Sequence, residues 1–290
     1  MRLLILSFIF LFTYSSYSQQ KIHRQKIATY MPISMYKAKY KKPLTQKDSL
    51  NFKFKDKDTL VLVENYKPPK GVRVPYEYKD STFLNYYKKV AFNHSNGKYS
   101  KDTKMKYWKN DIKLFFSKSI SKKERKELMS FTNTISSQID SLNIYQVKRV
   151  EDSNFVIYYN GDYDYESKLV DKKTSDYLYW NGKNQLYRAA IKIDPDKYFN
   201  SKLRLYKLRE YFIIAVGYFK LINDFNCDSY FSNCYSSNKN LSKLDIELLR
   251  YHYSYGICKG TTLETFEEQH KSAKETLKKR NHRINFIHKD

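Results

Sequence analysis

The sequence contains few glycines, prolines and cysteines: 7, 6 and 3 in 290 residues. Such low Gly and Pro contents exclude collagen-like and low-complexity chains. The Gly-x-Ser-x-Gly elbow, the phosphate-binding glycine loop and the Cys-x-x-Cys pair are all missing. The sequence therefore gives no support to the enzyme classes that are built on these motifs.

The chain is strongly basic, with a formal net charge of +24, while 41% of its residues are hydrophobic and 17% are aromatic. The hydrophobic content predicts a folded protein, and the charge favours an acidic polymer or protein at the cell surface as a partner. Lys greatly outnumbers Arg and no nucleic-acid-binding motif is present. Specific nucleic-acid binding is therefore not expected. The alternative is that lysine is spread over the surface without a binding role.

The first 18 residues have the pattern of a secretion signal, in which Arg2 precedes an apolar run over residues 3–12 and small residues end at Ser18. This pattern predicts cleavage after Ser18 and a secreted or periplasmic mature protein without a transmembrane helix. An uncleaved membrane anchor is the alternative, but the apolar run is short for that role.

The three cysteines, Cys227, Cys234 and Cys258, all follow the signal. Export to an oxidising compartment predicts one disulfide and one remaining thiol. We favour Cys227 with Cys234, which would close a short loop, while a bond from either of them to Cys258 would tie that loop to the end of the next helix. A cysteine nucleophile is not expected, because no histidine partner is indicated by position.

Residues 19–106 are predicted to form a basic, partly ordered extension. Residues 36–43 are interpreted as a loose basic arm, residues 51–63 as a β-hairpin, and the segment after Ser81 as a short amphipathic helix. The tail at residues 261–290 has helical spacing.

Residues 107–260 show a more regular pattern, which predicts an α+β domain. A capping box at Ser121 and Glu124 opens a helix with a buried apolar stripe. The predicted strands lie at residues 112–116, 144–150, 155–159 and 187–193. Strand, helix, strands and a final central helix follow one another, an order that many α+β domains share.

The central helix is predicted within residues 203–222, where residues 211–219 are an unbroken apolar and aromatic run. A helix that is apolar on every side belongs inside a domain, and this one is too short to cross a bilayer. A strand is the competing interpretation. The helix is favoured because apolar residues recur at helical spacing, namely Leu205, Leu208, Phe212, Val216 and Phe219.

A second helix is predicted after this one. Asn223 and Asp224 lead into a polar loop, and Ser242 with Asp245 three positions later is a capping signal.

The order of helix, Asn-Asp, loop and Leu-Ser-x-Leu-Asp helix resembles the zincin metallopeptidases of the metzincin type, and an uncharacterised family of secreted bacterial zincin-like proteins. The resemblance covers residues 108–260, about half the chain, and its matching residues are Glu210, Gly217, Asn223, Asp224, Leu241, Ser242, Leu244, Asp245, Leu249, Tyr253 and Gly260.

The resemblance implies a zincin-like fold, in which a mixed sheet and a long helix are followed by a central buried helix and a C-terminal helical part. It does not imply a zinc site. A zincin needs two imidazoles one helical turn apart and a carboxylate beside the first. Here those three positions hold Glu210, Tyr211 and Ile214, and none of the six histidines forms a His-x-x-x-His pair. Zinc hydrolase activity is therefore not expected, and no cofactor is predicted.

Candidate site residues remain in three places. Glu210 occupies a ligand position of the resembling enzymes, and the alternative is an ion pair with Lys207 or Arg209. Asp224, Asn226 and Asp228 have the first three oxygen spacings of a calcium loop, although Ser229 and Tyr235 stand where Gly and Glu are required. The acids within residues 162–166 alternate with tyrosine, which fits an exposed strand edge or loop.

We predict a secreted protein with a degenerate metalloprotease-like fold and a non-catalytic binding or scaffold role. One alternative is a hydrolase that uses Glu210, Asp224 and Asp245. The other is an electrostatic binder of acidic surface polymers.

Overall fold

The computed structural model describes residues 29–55, 58–67, 70–92, 102–279 and 284–288. The chain divides into two compact units, Met1–Pro68 and Pro69–Asp290. This division lies elsewhere than the predicted boundary between residues 106 and 107. The predicted signal and its cleavage site at Ser18 lie outside the described residues.

The smaller unit is a three-stranded antiparallel sheet with two short helices. The strand order is β1-β3-β2, and the elements are β1 (Thr29–Pro32), α1 (Ile33–Tyr40), α2 (Gln46–Leu50), β2 (Lys53–Lys55) and β3 (Asp58–Val63). The pairing of β2 with β3 confirms the hairpin that was predicted over residues 51–63.

The prediction of a loose arm over residues 36–43 was wrong for its first half, which is the end of α1. Tyr36 and Tyr40 lie one turn apart with ring centroids separated by 4.9 Å, and such pairs stabilise a helix. The helix ends at Lys41, which has a left-handed backbone.

The larger unit is built on a six-stranded mixed sheet. Its elements are β4 (Val72–Pro75), α3 (Ser81–Phe92), β5 (Tyr107–Trp108), β6 (Ile112–Phe116), α4 (Lys122–Ser136), β7 (Ile144–Gln146), β8 (Phe155–Tyr159), β9 (Ser175–Trp180), β10 (Gln185–Ile193), α5 (Ser201–Gly217), α6 (Lys243–Tyr253), α7 (Leu263–Lys279) and β11 (Asn285–His288). The sheet order is β5-β10-β8-β6-β7, and β9 pairs with β10. Only β9 runs antiparallel to its neighbour. The chain is thus a mixture of helices and sheets, as the predicted α+β class requires.

Both faces of the sheet are covered in its centre, so β8 is buried along its whole length. In β10, Ala189, Ile191 and Ile193 contribute to the main core beneath the helices. Ala190 belongs to a second, smaller core on the opposite face, together with Leu169 from residues 160–174. The predicted strand at residues 144–150 was too long, because β7 ends at Gln146 and a 3₁₀ turn follows at Val150–Asp152.

The predicted central helix is α5, and the competing strand interpretation was wrong. Asn200 caps its start by accepting a hydrogen bond from the Leu203 amide at 2.9 Å. At its end the indole of Trp108 donates to the Ala215 carbonyl at 2.9 Å, and the Tyr253 hydroxyl donates to the Val216 carbonyl. These bonds satisfy carbonyls that a helix end leaves unpaired.

The last described segments of the chain, α7 and β11, belong to the larger unit. Strand β11 pairs with β4, and α7 places Leu263 and Phe266 in the main core. His270 of α7 is 5% exposed, and its Nδ1 and Nε2 lie 2.9 Å from the hydroxyls of Tyr76 and Tyr251. Burial lowers the pKa of His270 to about 4, so this histidine is a neutral core residue at pH 7.

Candidate binding face beside the central helix

Strand β9 is an edge strand. In the described part of the chain it pairs with β10 alone, and its second side has no strand partner. Asp176 is opposite Ile191 and Trp180 is opposite Leu186, and both of these β10 residues belong to the main core. Because alternate residues share one face of a sheet, Asp176 and Trp180 lie on the side of the sheet that α5 covers.

Helix α5 carries a stripe of partly exposed residues, spaced by four, three and four positions: Lys207, Tyr211, Ile214 and Tyr218. The last of them follows the helix as its left-handed cap, and its ring centroid lies 5.2 Å from that of Trp180. We call the surface formed by this stripe with Asp176 and Trp180 the β9–α5 face.

One end of the β9–α5 face carries opposite charges. Burial raises the pKa of Asp176 from 3.8 to about 6, although the positive charge of Lys207 opposes this rise. Burial also raises the pKa of Tyr211, and the negative charge of Asp176 raises it further. Asp176 thus changes its charge near neutral pH, where a proton donor or acceptor is most useful.

The other end is aromatic and contains a buried cation. The Nζ atom of Lys106 lies 4.5 Å from the ring centroid of Trp180 and 4.9 Å from that of Tyr218. Lys106 is 8% exposed, and burial lowers its pKa. Contacts of this kind between an ammonium group and aromatic faces are stabilising, so Lys106 fixes the two rings beside each other.

Glu210 lies at the border of this face and is 9% exposed. Its carboxylate forms an ion pair with Lys207, which is the structural alternative that the sequence left open. The neighbouring Arg209 pairs instead with Glu127 of α4 at 3.3 Å. Lys207 therefore stands between two carboxylates, Glu210 by direct contact and Asp176 by its electrostatic effect.

The other two carboxylates of the hydrolase alternative have protein partners of their own. Asp224 forms an ion pair with Lys89. Asp245 is fully buried and accepts hydrogen bonds from the Ser229 hydroxyl at 2.5 Å and the Ser242 amide at 3.0 Å. Its surroundings make it a structural residue at the start of α6 rather than an acid that a substrate can reach.

The calcium candidates make separate contacts. Asp228 accepts a hydrogen bond from the Ser236 hydroxyl at 2.6 Å, and the Asn226 carbonyl accepts one from the Ser229 amide at 2.9 Å, while Asp224 pairs with its lysine. Within the residues that the structure describes, no group of three or more His, Cys, Asp or Glu side chains could hold a metal ion.

Cys227 and Cys234 are paired at disulfide distance, and Cys258 is free. This is the pairing that the sequence favoured, and it closes the loop between α5 and α6.

The sequence did not indicate Asp176, Trp180 or Lys106 as site residues. The reason is that β9 has no alternation of polar and apolar residues. Tyr177 packs against the smaller core on one face of the sheet and Leu178 belongs to the main core on the other. A strand with apolar or aromatic residues on both faces lacks the period-two signal by which strands are recognised.

No protein-family model matches the chain, and the search of curated proteins found no match either. Among the described helices none combines the length and the apolar character that spanning a membrane would require. Function is therefore argued from the β9–α5 face itself.

Proposed function

We propose that this protein is a secreted or periplasmic, non-catalytic binding protein of zincin-like architecture, which holds an extended polypeptide along the β9–α5 face. The observation that carries the proposal is that edge strand β9 lies beside α5. By the resemblance, the two ligand positions of this helix hold Glu210 and Ile214, and the position of the catalytic carboxylate holds Tyr211. The face has the surfaces that binding needs and lacks the imidazoles that zinc chemistry needs.

The order of elements supports the zincin-like part of the proposal. Strand β6, helix α4, strands β7 to β10 and helix α5 follow one another as the resemblance implies. After α5 come Asn223 and Asp224, the disulfide-closed loop, and α6, which Ser242 and Asp245 cap with a complete capping box.

The chemistry of the face supports the binding part. An edge strand exposes backbone N–H and C=O groups that can pair with another extended chain. The rings of Trp180, Tyr211 and Tyr218 supply contact area at low entropic cost. Lys207 and Asp176 add one charge of each sign, which favours a peptide with a charged residue at that end.

Binding can be tested by selecting peptides from a random library against the purified protein and measuring their affinities. Trp180 is 42% exposed and Tyr187 is 50% exposed, but Tyr187 lies beside Tyr179 on the opposite face of the sheet. We expect Trp180→Ala to weaken the selected peptides at least tenfold and Tyr187→Ala to leave them unchanged. Equal effects of the two substitutions, or a failure to select any peptide, would contradict the proposal.

Two further measurements test the remaining parts. Metal analysis of the purified protein is expected to show no stoichiometric zinc, and zinc at one equivalent would overturn the non-catalytic interpretation.

N-terminal sequencing of the protein from its natural source is expected to begin at Gln19, whereas a start at Met1 would contradict secretion by cleavage.

A second candidate is a hydrolase in which Asp176 donates a proton and Glu210 acts as the base. The raised pKa of Asp176 favours it, since paired carboxylates with different environments are typical of acid and base roles. Asp176→Asn and Glu210→Gln would each abolish such an activity. Hydrolysis that survives both substitutions would exclude this pair.

A further inference from the structure

Helix α4 directs its two acidic side chains towards α5. Glu124 is 1% exposed and accepts from the Arg204 guanidinium at 2.7 Å, while Glu127 pairs with Arg209 at 3.3 Å. Among the basic residues of the same turns, Lys122 and Lys126 are exposed, and Arg125 is partly exposed with its Nε donating to the Ile120 carbonyl at 2.9 Å. Lys122, Arg125 and Lys126 form no ion pair with any carboxylate in the part of the chain that the structure describes.

These three cations line one end of a groove along the outer side of α4. The groove has a volume of about 1010 Å³, and its other end is lined by hydroxyl and amide side chains that include Ser130, Asn133 and Gln146. Helix α4 has 15 residues, so it is about 22 Å long at 1.5 Å per residue. This length suits a polymer of several units better than a single small anion.

The residues that line the groove favour one class of polyanion over another. Single-stranded nucleic acids bind through bases stacked on aromatic side chains, and no aromatic residue lines this groove. Hydroxyl and amide groups can instead exchange hydrogen bonds with sugar hydroxyls. Carboxylates or sulfates on the same polymer would meet the Lys and Arg side chains, which bind such groups by charge-assisted hydrogen bonds.

We propose that the groove along α4 binds an acidic polysaccharide. Its anionic groups contact Lys122, Arg125 and Lys126, and its hydroxyls contact Ser130, Asn133 and Gln146. The net charge of +24 draws the polymer to the protein, and the groove fixes where it is held. This site is separate from the β9–α5 face, and it stands or falls independently of the function proposed there.

The test must separate a local site from general charge attraction. The first variant replaces Lys122, Arg125 and Lys126 by Gln. The matched control replaces Lys168, Lys172 and Lys173, three exposed cations in residues 160–174, and so removes the same net charge from another surface. The probes are a polyuronate, a sulfated dextran, neutral dextran and single-stranded DNA, each measured at several salt concentrations.

We expect the polyuronate and the sulfated dextran to bind the unmodified protein, and neutral dextran to show no binding. The α4 variant should lose at least tenfold in affinity and the control less than threefold. The slope of log affinity against log salt should also become shallower by about two to three for the α4 variant, because each of the three lost contacts no longer releases a counterion.

A third variant, Ser130→Ala with Asn133→Ala, tests the uncharged half of the groove. It should weaken the polyuronate severalfold and leave the salt slope unchanged, because no charge is removed. Equal losses for the two triple variants would overturn the proposal and indicate attraction by net charge alone. Single-stranded DNA that binds as tightly as the polyuronate, and depends equally on α4, would also overturn it. Thermal unfolding of each variant checks that its fold is intact.

Discussion

Two long loops border the β9–α5 face, and they are held in different ways. The first loop, residues 160–174, leads into β9, and the second loop, residues 218–242, leaves α5. The second is closed by the Cys227–Cys234 disulfide and packs Phe225 and Phe231 in the main core. The first contains no cysteine and lies on the smaller core. The second loop is thus held by a covalent bond, by burial and by the carboxylate of Asp245. The first loop has no covalent bond and depends on its own acids and on a buried lysine.

The first loop uses three of its four acids as anchors, and the fourth, Asp171, is exposed. Asp162 accepts hydrogen bonds from the Ser117 hydroxyl at 2.7 Å and the Tyr159 amide at 2.8 Å. Glu166 is 1% exposed and accepts from the Tyr179 hydroxyl at 2.7 Å. The prediction of an exposed strand edge or loop was correct in that the segment is a loop, but it was wrong for Glu166, which is buried.

The remaining anchor of the first loop is Asp164, which pairs with Lys192 of β10 at 2.7 Å. Lys192 is 2% exposed, and its ammonium also donates to the carbonyls of Leu169 and Val170 at 3.2 and 3.3 Å. One buried cation thus satisfies three oxygens of the loop, as a buried charge must be paired to be tolerated.

The largest expected effect concerns Asp245, which holds the second loop against α6. Replacing Asp245 by Ala leaves the Ser229 hydroxyl and the amides of Tyr230 and Ser242 without their acceptor inside the protein. We expect a loss of about 3 kcal/mol in the free energy of unfolding, measured by chemical denaturation. Asp228→Ala, an exposed acid in the same loop, should change it by less than about 0.5 kcal/mol. Similar losses for the two variants would contradict this account.

The next effect concerns the disulfide of the second loop. Cys227→Ser removes a bond that joins residues seven positions apart, and the entropy of so small a loop corresponds to about 2 kcal/mol. Reducing agent should destabilise the unmodified protein equally and leave the variant unaffected. Cys258→Ser, which alters the free thiol, should keep the response to reducing agent. If Cys227→Ser still responded to reducing agent, another pair of cysteines would be forming a disulfide in that variant.

The matching change in the first loop is Lys192→Met. Because Asp164 is partly exposed and water can solvate it, we expect a loss of about 1 to 2 kcal/mol, less than for a fully buried pair. Amide hydrogen exchange should accelerate in residues 160–174 and stay slow in residues 218–242. Lys172→Met, on the surface of the same loop, should leave exchange unchanged. Acceleration in both loops would mean that they are not separately anchored.

Local signals in the sequence predicted much of the fold. Capping boxes at Ser121 and Ser242 are both present in the structure, because a cap depends only on residues three positions apart. The apolar run of α5 and the hairpin of β2 and β3 were found for the same reason. Periodicity and capping report on neighbours along the chain.

Contacts between distant segments gave no such signal. The pairing of β4 with β11 joins Val72 to His288, and no local pattern in either segment announces its partner. The burial of Lys192 likewise depends on Asp164 and on loop carbonyls from elsewhere in the sequence. Asp176 was missed because its strand shows no alternation of polar and apolar residues, so the sequence indicated Glu210 and the carboxylates around Asp224 but no residue of β9. Residues that come together through the register of paired strands can be named as a site only when the strand pairing is known.

The smallest expected effect concerns Asp176, where the first loop passes into β9. Its folded pKa of about 6 lies above the usual 3.8, so the folded state favours the protonated carboxyl. The stability that this proton provides is complete below pH 3.8 and is lost as the pH rises through 6. Asp176→Asn should therefore match the unmodified protein at pH 4 and exceed it at pH 8. The gain should be no more than about 1 kcal/mol, because solvent screens a half-buried group.

Unfolding midpoints measured from pH 4 to pH 8 check this prediction, with Asp171→Asn in the exposed part of the first loop as the control. If Asp176→Asn were less stable than the unmodified protein at pH 8, the carboxylate would stabilise the fold through Lys207 and would not be destabilised by its burial. A stabilising substitution that also weakens ligand binding would instead identify Asp176 as a residue kept for function at the expense of stability, as is common at functional sites. That outcome would place function at the end of the electrostatically anchored loop, and it would leave the disulfide-closed loop with a structural role.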